Sequence, residues 1–244
     1  MTTKRKCVFC GNSDLSKEHI FAQWLLKELG IYDKDVTMTH ATFAGMPVSN
    51  RNHVFSKLVN GLVCTTCNNG WMSQLEGDCQ NHIINLMNAN ELDSELAHLK
   101  EHHNTFAKWA FKNIIMLNSA TNYKHLVPSE HFEMLNSGEI PDGVFVDLAF
   151  CKDITTIEWR QTHGGLIIKD KDIPFNQDAA RYRITFQLKS LLIKVAYQES
   201  SHSTFYEDEG AIRLYPQFGV YGTPKVFESI DEYDIHGVYH EHKE

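Results

Sequence analysis

The 244-residue sequence predicts an α+β protein with a metal-pinned N-terminal segment. Three observations carry that expectation. Two C-x-x-C pairs, Cys7–Cys10 and Cys64–Cys67, have the ligand spacing of a tetrahedral zinc site. Residues 95–120 place Phe106, Ala110, Ile114 and Leu117 on one helical stripe, with Trp109 beside it. From Val144 onward the period changes to two, with Tyr182, Ile184, Phe186 and Leu188 in clean alternation.

Each element has a local cause. Gly11 to Asp14 is a turn after the first cysteine pair. Phe21, Leu25 and Leu29 fall at i, i+4 and i+8, so 21–30 is a short amphipathic helix stopped by Gly30. A strand is expected at Val36 to Phe43, and another from Val54 to Val63 into the second cysteine pair. The helix that follows runs through Ile83, Ile84, Leu86 and Met87. Its start is open, because Asn68 or Asn69 can cap it and Ser73 with Glu76 forms a capping-box pattern. Asn88-Ala89-Asn90 marks a boundary, giving an N-terminal part over 1–90 and a C-terminal α+β part over 91–244. Within the latter, a short helix starts at Pro128-Ser129 and ends near Gly138. Strands are expected at 144–146, 157–160, 166–168, 182–188, 191–197 and 211–215, forming a mainly antiparallel sheet packed on the long helix.

Composition narrows the class. Apolar residues are 42% and charged residues 22%, which excludes a largely disordered chain. No apolar run approaches the ~18 residues of a membrane span, and no secretory signal precedes Cys7, so a cytoplasmic, reducing setting is expected. There, thiols bind metal rather than form disulfides. Net charge is −8 but uneven: residues 1–75 carry +3, and 196–244 carry −7. The N-terminal third is therefore the part suited to a polyanion, with Lys4, Arg5, Lys6, Lys17, Arg51 and Lys57 as phosphate-contact candidates. The acidic C-terminal part is suited to restraining non-specific binding, or to a homodimer or partner-protein interface.

The four paired cysteines make a closed site, so zinc there is structural and pins two segments 53 residues apart. Cys79 and Cys151 lack metal spacing and read as small core residues. Closing the zinc site brings Glu18-His19, which follow the first pair, near Asn68-Asn69, which follow the second. A carboxylate and a carboxamide oxygen suit a hard divalent cation. A neutral imidazole can take a proton from water near pH 7. Taken singly, Glu18-His19 reads as a solvated loop and Asn68-Asn69-Gly70 as a helix cap; their order around a split zinc site gives them meaning together.

These residues also carry a resemblance. The series Cys7-x-x-Cys10, Ser16-Lys17-Glu18-His19-Ile20-Phe21 with Trp24-Leu25, and Val63-Cys64-x-x-Cys67-Asn68-Asn69-Gly70-Trp71-Met72 with Leu75-Glu76 resembles the HNH endonucleases. Within them it is most similar to the bacterial branch with a zinc-stapled ββα-metal (His-Me finger, treble-clef-like) core. The match covers about 1–80 with a long insertion, and Lys108-Trp109-Ala110-Phe111-Lys112 adds a weaker echo. The resemblance implies His19 as general base, Glu18 as a ligand of a catalytic Mg2+ or Mn2+, and Asn68 as the second ligand, with Asn69 the fallback. It also implies hydrolysis of phosphodiesters, with DNA the favoured substrate, in a restriction or antiphage setting. The family's middle asparagine lies five residues before the third cysteine, where this chain has Val59; Asn60 and Asn52 are both open for that role. The competing class is a zinc-stabilised nucleic-acid or protein binding module that keeps the fold without the chemistry.

The remaining candidates are weaker. His98 and His102, at i and i+4 beside Glu101 and His103, could share a metal, but a polar helix face is the preferred reading. Arg181 and Arg183 fit a solvated sheet face better than a phosphate contact. His236, His240 and His242 are expected in a mobile tail.

Overall fold

A computed structural model describes residues 5–41, 47–88, 92–120, 126–155, 157–162, 166–169, 181–199, 203–206, 210–220, 222–223, 225–235 and 238–241. The first cysteine pair leads into β1 (Leu15–His19) and α1 (Gln23–Glu28). Gly30, at φ +67°, turns the chain after α1 as expected. An antiparallel hairpin of β2 (Asp35–Ala41) and β3 (Pro47–Val54) forms the insertion. The continuous strand expected over 54–63 is broken: buried Phe55 opens a 3-10 turn, Phe55–Lys57, and β4 (Val59–Cys64) starts only after it. β4 pairs antiparallel with β1, so the two halves of the N-terminal segment meet as one two-stranded sheet.

The helix after β4 begins earlier than its capping signals suggest. It runs as α2 (Thr65–Cys67), a π-helical turn (Asn68–Met72) and α3 (Ser73–Met87). Its cap is Cys64, whose sulfur accepts the Cys67 N–H. Asn68, Asn69 and Ser73 are not caps, and Glu76 turns toward the core. The long helix is α4 (Leu92–Ala120), interrupted by non-helical backbone at His102, followed by α5 (Glu130–Asn136). α4 packs on α3 and on a sheet, and one apolar core runs from Phe9 through Leu86 and Trp109 to Leu214.

That sheet contains β5 (Val144–Cys151), β6 (Ile157–Thr162), β8 (Arg181–Leu188), β9 (Leu191–Gln198), β11 (Ile212–Tyr215) and β12 (Gly219–Val220) in the order β12-β11-β5-β9-β8-β6. β13 (Val226–Phe227) adds to β5 in parallel. A separate three-stranded sheet joins β7 (Leu166–Lys169), β10 (Ser203–Tyr206) and β14 (Val238–Glu241). β14 corrects the expected tail: His240 lies in a strand, while His236 and His242 fall outside the described residues.

Tyr182, Ile184, Phe186 and Leu188 are buried, and Phe186 packs on Trp109 of α4. The opposite face was expected in solvent. Instead it carries a buried polar row, Thr185–Lys194–Asp147–Arg213, one residue from each of β8, β9, β5 and β11. α6 (Ile230–Ile235) packs against β6, β8 and β9. Lys194 Nζ donates to the Tyr233 carbonyl at 2.6 Å, Thr185 Oγ1 donates to Asp234 Oδ1 at 2.6 Å, and Arg183 pairs with Asp234. Arg183 is therefore engaged within the fold.

His131 of α5 is buried against Tyr182, Tyr197 and Phe111, with the Tyr182 hydroxyl 3.1 Å from Nδ1. Burial pushes its pKa down to about 4, against the weaker pull of Glu130 and Glu199. Above pH 6.5 the ring is neutral in both the folded and unfolded chain. Between 6.5 and 4 only the unfolded chain takes the proton, so stability falls, by up to about 3 kcal/mol. Urea midpoints are expected to drop across that window and to drop less in His131→Phe. An unchanged pH slope in that variant refutes the assignment.

Candidate metal centre and active site

The cysteine tetrad is assembled by local structure at both ends. Cys7 N–H donates to the Asn12 carbonyl and Gly11 N–H to the Cys7 carbonyl, which closes the first knuckle; Gly11 sits at φ +73°. The second knuckle is the first turn of the helix after β4. Val8 N–H donates to the Leu62 carbonyl at 2.9 Å and so docks the first knuckle on β4. The sulfurs of Cys7, Cys10, Cys64 and Cys67 lie within 4.8 Å of one another, with Cys10–Cys64 at 3.5 Å and Cys10–Cys67 at 3.6 Å. Four thiols at this spacing could hold a metal ion such as zinc. Among the described residues this is the one group of three or more His, Cys, Asp or Glu whose ligand atoms converge.

The thiols are electrically unequal. Burial works to raise the Cys64 thiol, but the Cys67 N–H and the neighbouring sulfurs hold it at about 7. Burial pushes Cys67 far upward, opposed by the Trp71 indole. The Trp71 N–H is buried and makes no hydrogen bond. Phe9 packs on Trp71 and on Phe132 of α5, at centroid distances of 5.3 and 5.4 Å, and Cys67 Sγ lies 3.6 Å from Asn136 Oδ1. The tetrad therefore joins the N-terminal knuckle, the helix and α5.

Behind the tetrad, the β1–β4 pair brings Glu18 opposite Asn60 and His19 opposite Val59. The register shifts between Ser16 and Glu18, where Gly61 and Leu62 oppose the single Lys17. Asn60 is buried at this bulge: its Oδ1 accepts the Leu62 N–H at 2.8 Å and its Nδ2 reaches Ser119 of α4. Of the two asparagines left open by the sequence, Asn60 therefore lies at the base of the site. Asn52 lies on the inserted hairpin, accepting from Thr37 Oγ1.

Glu18 is half-buried, and the Asn68 side chain and the His19 backbone N–H, both nearby, favour its charged form. Burial pushes its carboxyl above the ordinary range, while the Lys112 charge pulls it back. Asn68 donates to Ser16 Oγ at 3.2 Å. His19 ends β1, half-buried, with Nδ1 3.4 Å from Gln23 Nε2. Asn69, in contrast, is exposed, and no contact to Glu18 is seen. Glu18 and His19 of β1 thus come close to Asn68, about 50 residues further along, in the helix that follows β4.

Two further groups underlie the site. Glu76 Oε2 accepts from Trp24 Nε1 at 2.8 Å and Trp109 Nε1 at 3.0 Å, and Glu76 Oε1 accepts from Lys112 Nζ. Burial works to raise Glu76, but the Lys112 charge and the three donors hold it below its ordinary value. The sequence reading treated Glu76 as a capping residue and Lys112 as part of a weak motif. The available signal was Lys112 itself, a cation inside the apolar stretch from Phe106 to Leu117.

The histidine candidates resolve differently. His82 of α3 bonds Glu95 at 2.8 Å and stacks on His98 at 3.6 Å, and His98 adjoins His102 at 4.3 Å. Their nitrogens do not converge with a third ligand. Of the phosphate-contact candidates, Arg5, Lys6, Lys17, Arg51 and Lys57 are exposed, and Lys4 lies outside the described residues. No described helix is long and apolar enough to cross a membrane. Comparison of the chain with protein-family models, curated proteins and solved structures finds no match in any of the three.

Proposed function

We propose that the chain is a metal-dependent endonuclease of the HNH, ββα-metal type, with structural zinc on the four cysteines and DNA as its substrate. The observation that carries the reading is the Asn68–Ser16 hydrogen bond, which sets Asn68 against β1 beside Glu18 and His19, at an antiparallel strand pair and the helix after it. The donor set fits a hard cation: Glu18 offers carboxylate oxygens and Asn68 a carbonyl oxygen, while the cysteines are gathered separately. A Mg2+ or Mn2+ ion held there would supply charge for the scissile phosphate and the leaving oxygen. The chain's own residues do the rest. His19 takes the proton from the attacking water. The Asn60-capped bulge and the Ser16–Asn68 bond hold β1 at fixed height over the helix. Lys17, exposed on the same strand, meets the phosphate backbone.

A binding module without catalysis is the competing reading. It rests on Asn68, whose amide is engaged within the fold as a donor to Ser16 Oγ, and on the net charge of −8. One experiment separates the two: conversion of supercoiled plasmid with Mg2+, Mn2+ or neither, beside His19→Ala. Nicking is expected only with the ion, and His19→Ala is expected to slow it by about 10²–10⁴-fold, the range for a general base. His19 is only half-buried, so the variant should remain folded. No nicking by zinc-loaded protein favours the binding module, and nicking unchanged in His19→Ala excludes this base.

A further inference from the structure

Beneath the candidate site lie one buried cation and one largely covered carboxylate, and the carboxylate is saturated. Glu76 takes three N–H donors on its two oxygens, from Trp24, Trp109 and Lys112. A carboxylate so filled has little left for a metal ion, so Glu76 is not a ligand despite lying close enough to Glu18 for their charges to interact. Its three donors come from two different helices. Trp24 belongs to α1, which starts four residues after His19. Trp109 and Lys112 belong to α4. Glu76 itself belongs to α3, two turns beyond Asn68. One side chain thus ties together the element that follows the base, the element that carries the second ligand, and the long central helix.

Lys112 makes the tie rigid. Its side chain is 0% exposed, and Nζ also donates to Asn113 Oδ1 at 3.3 Å. Asn113 is in turn anchored to the Trp109 carbonyl at 2.9 Å. Burying such a charge is costly unless it is paired, and a buried pair is weak evidence for stability in itself. A fully buried lysine paired with a carboxylate only 12% exposed, capped by two indoles and close enough to Glu18 for their charges to interact, calls for a use beyond stability.

Resting on the nuclease reading, we propose that Glu76 and Lys112 are positioning residues: they clamp α1, α3 and α4 so that Glu18 and Asn68 meet at the separation a divalent cation requires. Metal ligation tolerates misplacement of only about 0.5 Å. Groups that orient ligands without touching the ion typically change metal affinity by about 10–100-fold when removed.

The test is Mn2+ binding by electron paramagnetic resonance on full-length, zinc-retaining protein, with nicking measured against Mn2+ concentration alongside. The variants are Glu76→Gln, Lys112→Met and the double variant, with Glu18→Gln as the ligand control. Glu76→Gln is expected to weaken Mn2+ binding by about 10–100-fold. The Mn2+ needed for half-maximal nicking should rise in step, with the maximal rate changing much less and zinc content unaltered. A purely structural role would lower the melting temperature and leave Mn2+ affinity alone, and that result overturns the proposal. Should Glu76→Gln fail to fold, the double variant removes both buried charges together, leaves none unpaired, and carries the same expectation. Wild-type protein that nicks, beside folded variants with wild-type Mn2+ affinity, overturns the clamp and leaves the nuclease standing. Wild-type protein that neither binds Mn2+ nor nicks overturns both.

Discussion

Cys64→Ser is expected to abolish cooperative folding of the N-terminal half, and a strong chelator should do the same to the wild-type chain. Cys64 has three duties. It supplies one of four converging sulfurs, its sulfur caps the helix by accepting the Cys67 N–H, and it is 0% exposed at the end of β4. Structural zinc contributes about 10–16 kcal/mol of apparent binding free energy in small zinc modules. Whole domains are stable by about 5–15 kcal/mol. Loss of such an ion from the tetrad would therefore remove as much free energy as a domain has in hand. The damage should spread, because Phe9 packs on Trp71 and Phe132, and Cys67 lies against Asn136. Near-ultraviolet circular dichroism of the tryptophans and a metal assay are the measurements. One zinc per chain, with loss of the aromatic signal on chelation, is the expected result. A chelated or Cys64→Ser protein with an unchanged melting temperature would mean that the tetrad is four packed thiols and nothing more.

Asp147→Ala should be the next most damaging change. Asp147 is 0% exposed and pairs through both oxygens with Arg213, and its strand neighbour on the other side is Lys194, also 0% exposed. Removing the carboxylate leaves two cations buried with one counter-charge gone. Breaking a buried pair in this way costs about 3–5 kcal/mol, because the surviving charge keeps its desolvation penalty. An exposed pair such as Lys152–Glu228 should contribute far less, because solvent screens it. The comparison of Asp147→Ala with Glu228→Ala by urea denaturation checks the ranking. Equal midpoints for the two variants would show that water or another group neutralises the row.

The two variants probe parts of the molecule that differ in how far the sequence reveals them. The tetrad is legible from spacing, because two knuckles are local objects and a zinc site needs only that four thiols be able to meet. Glu18, His19 and Asn68 are legible as candidates by their order around it, and the structure places them together while leaving Asn69 exposed. The apolar stripe of α4 and the alternation in β8 are legible because burial imposes periods of 3.6 and 2. Helix start signals misled, since Cys64 caps from a position where sulfur is not a usual cap. The 3-10 break at Phe55–Lys57 was hidden inside a Val- and Leu-rich stretch, 54–63, of strand-like composition.

What the sequence by itself determined is the α+β class, the split cysteine site and the short list of residues around it. These follow from local spacing and periodicity. Only the tertiary structure decided that the second face of the sheet is covered, so that Asp147, Lys194 and Arg213 are buried neighbours rather than solvated charges. It alone brought Lys112 close to Glu18 and onto Glu76, 36 residues away. The physical reason is the same in both cases. Periodicity tells which residues share a face, but not what covers that face, and the cost of a buried charge depends wholly on the partner that long-range packing delivers.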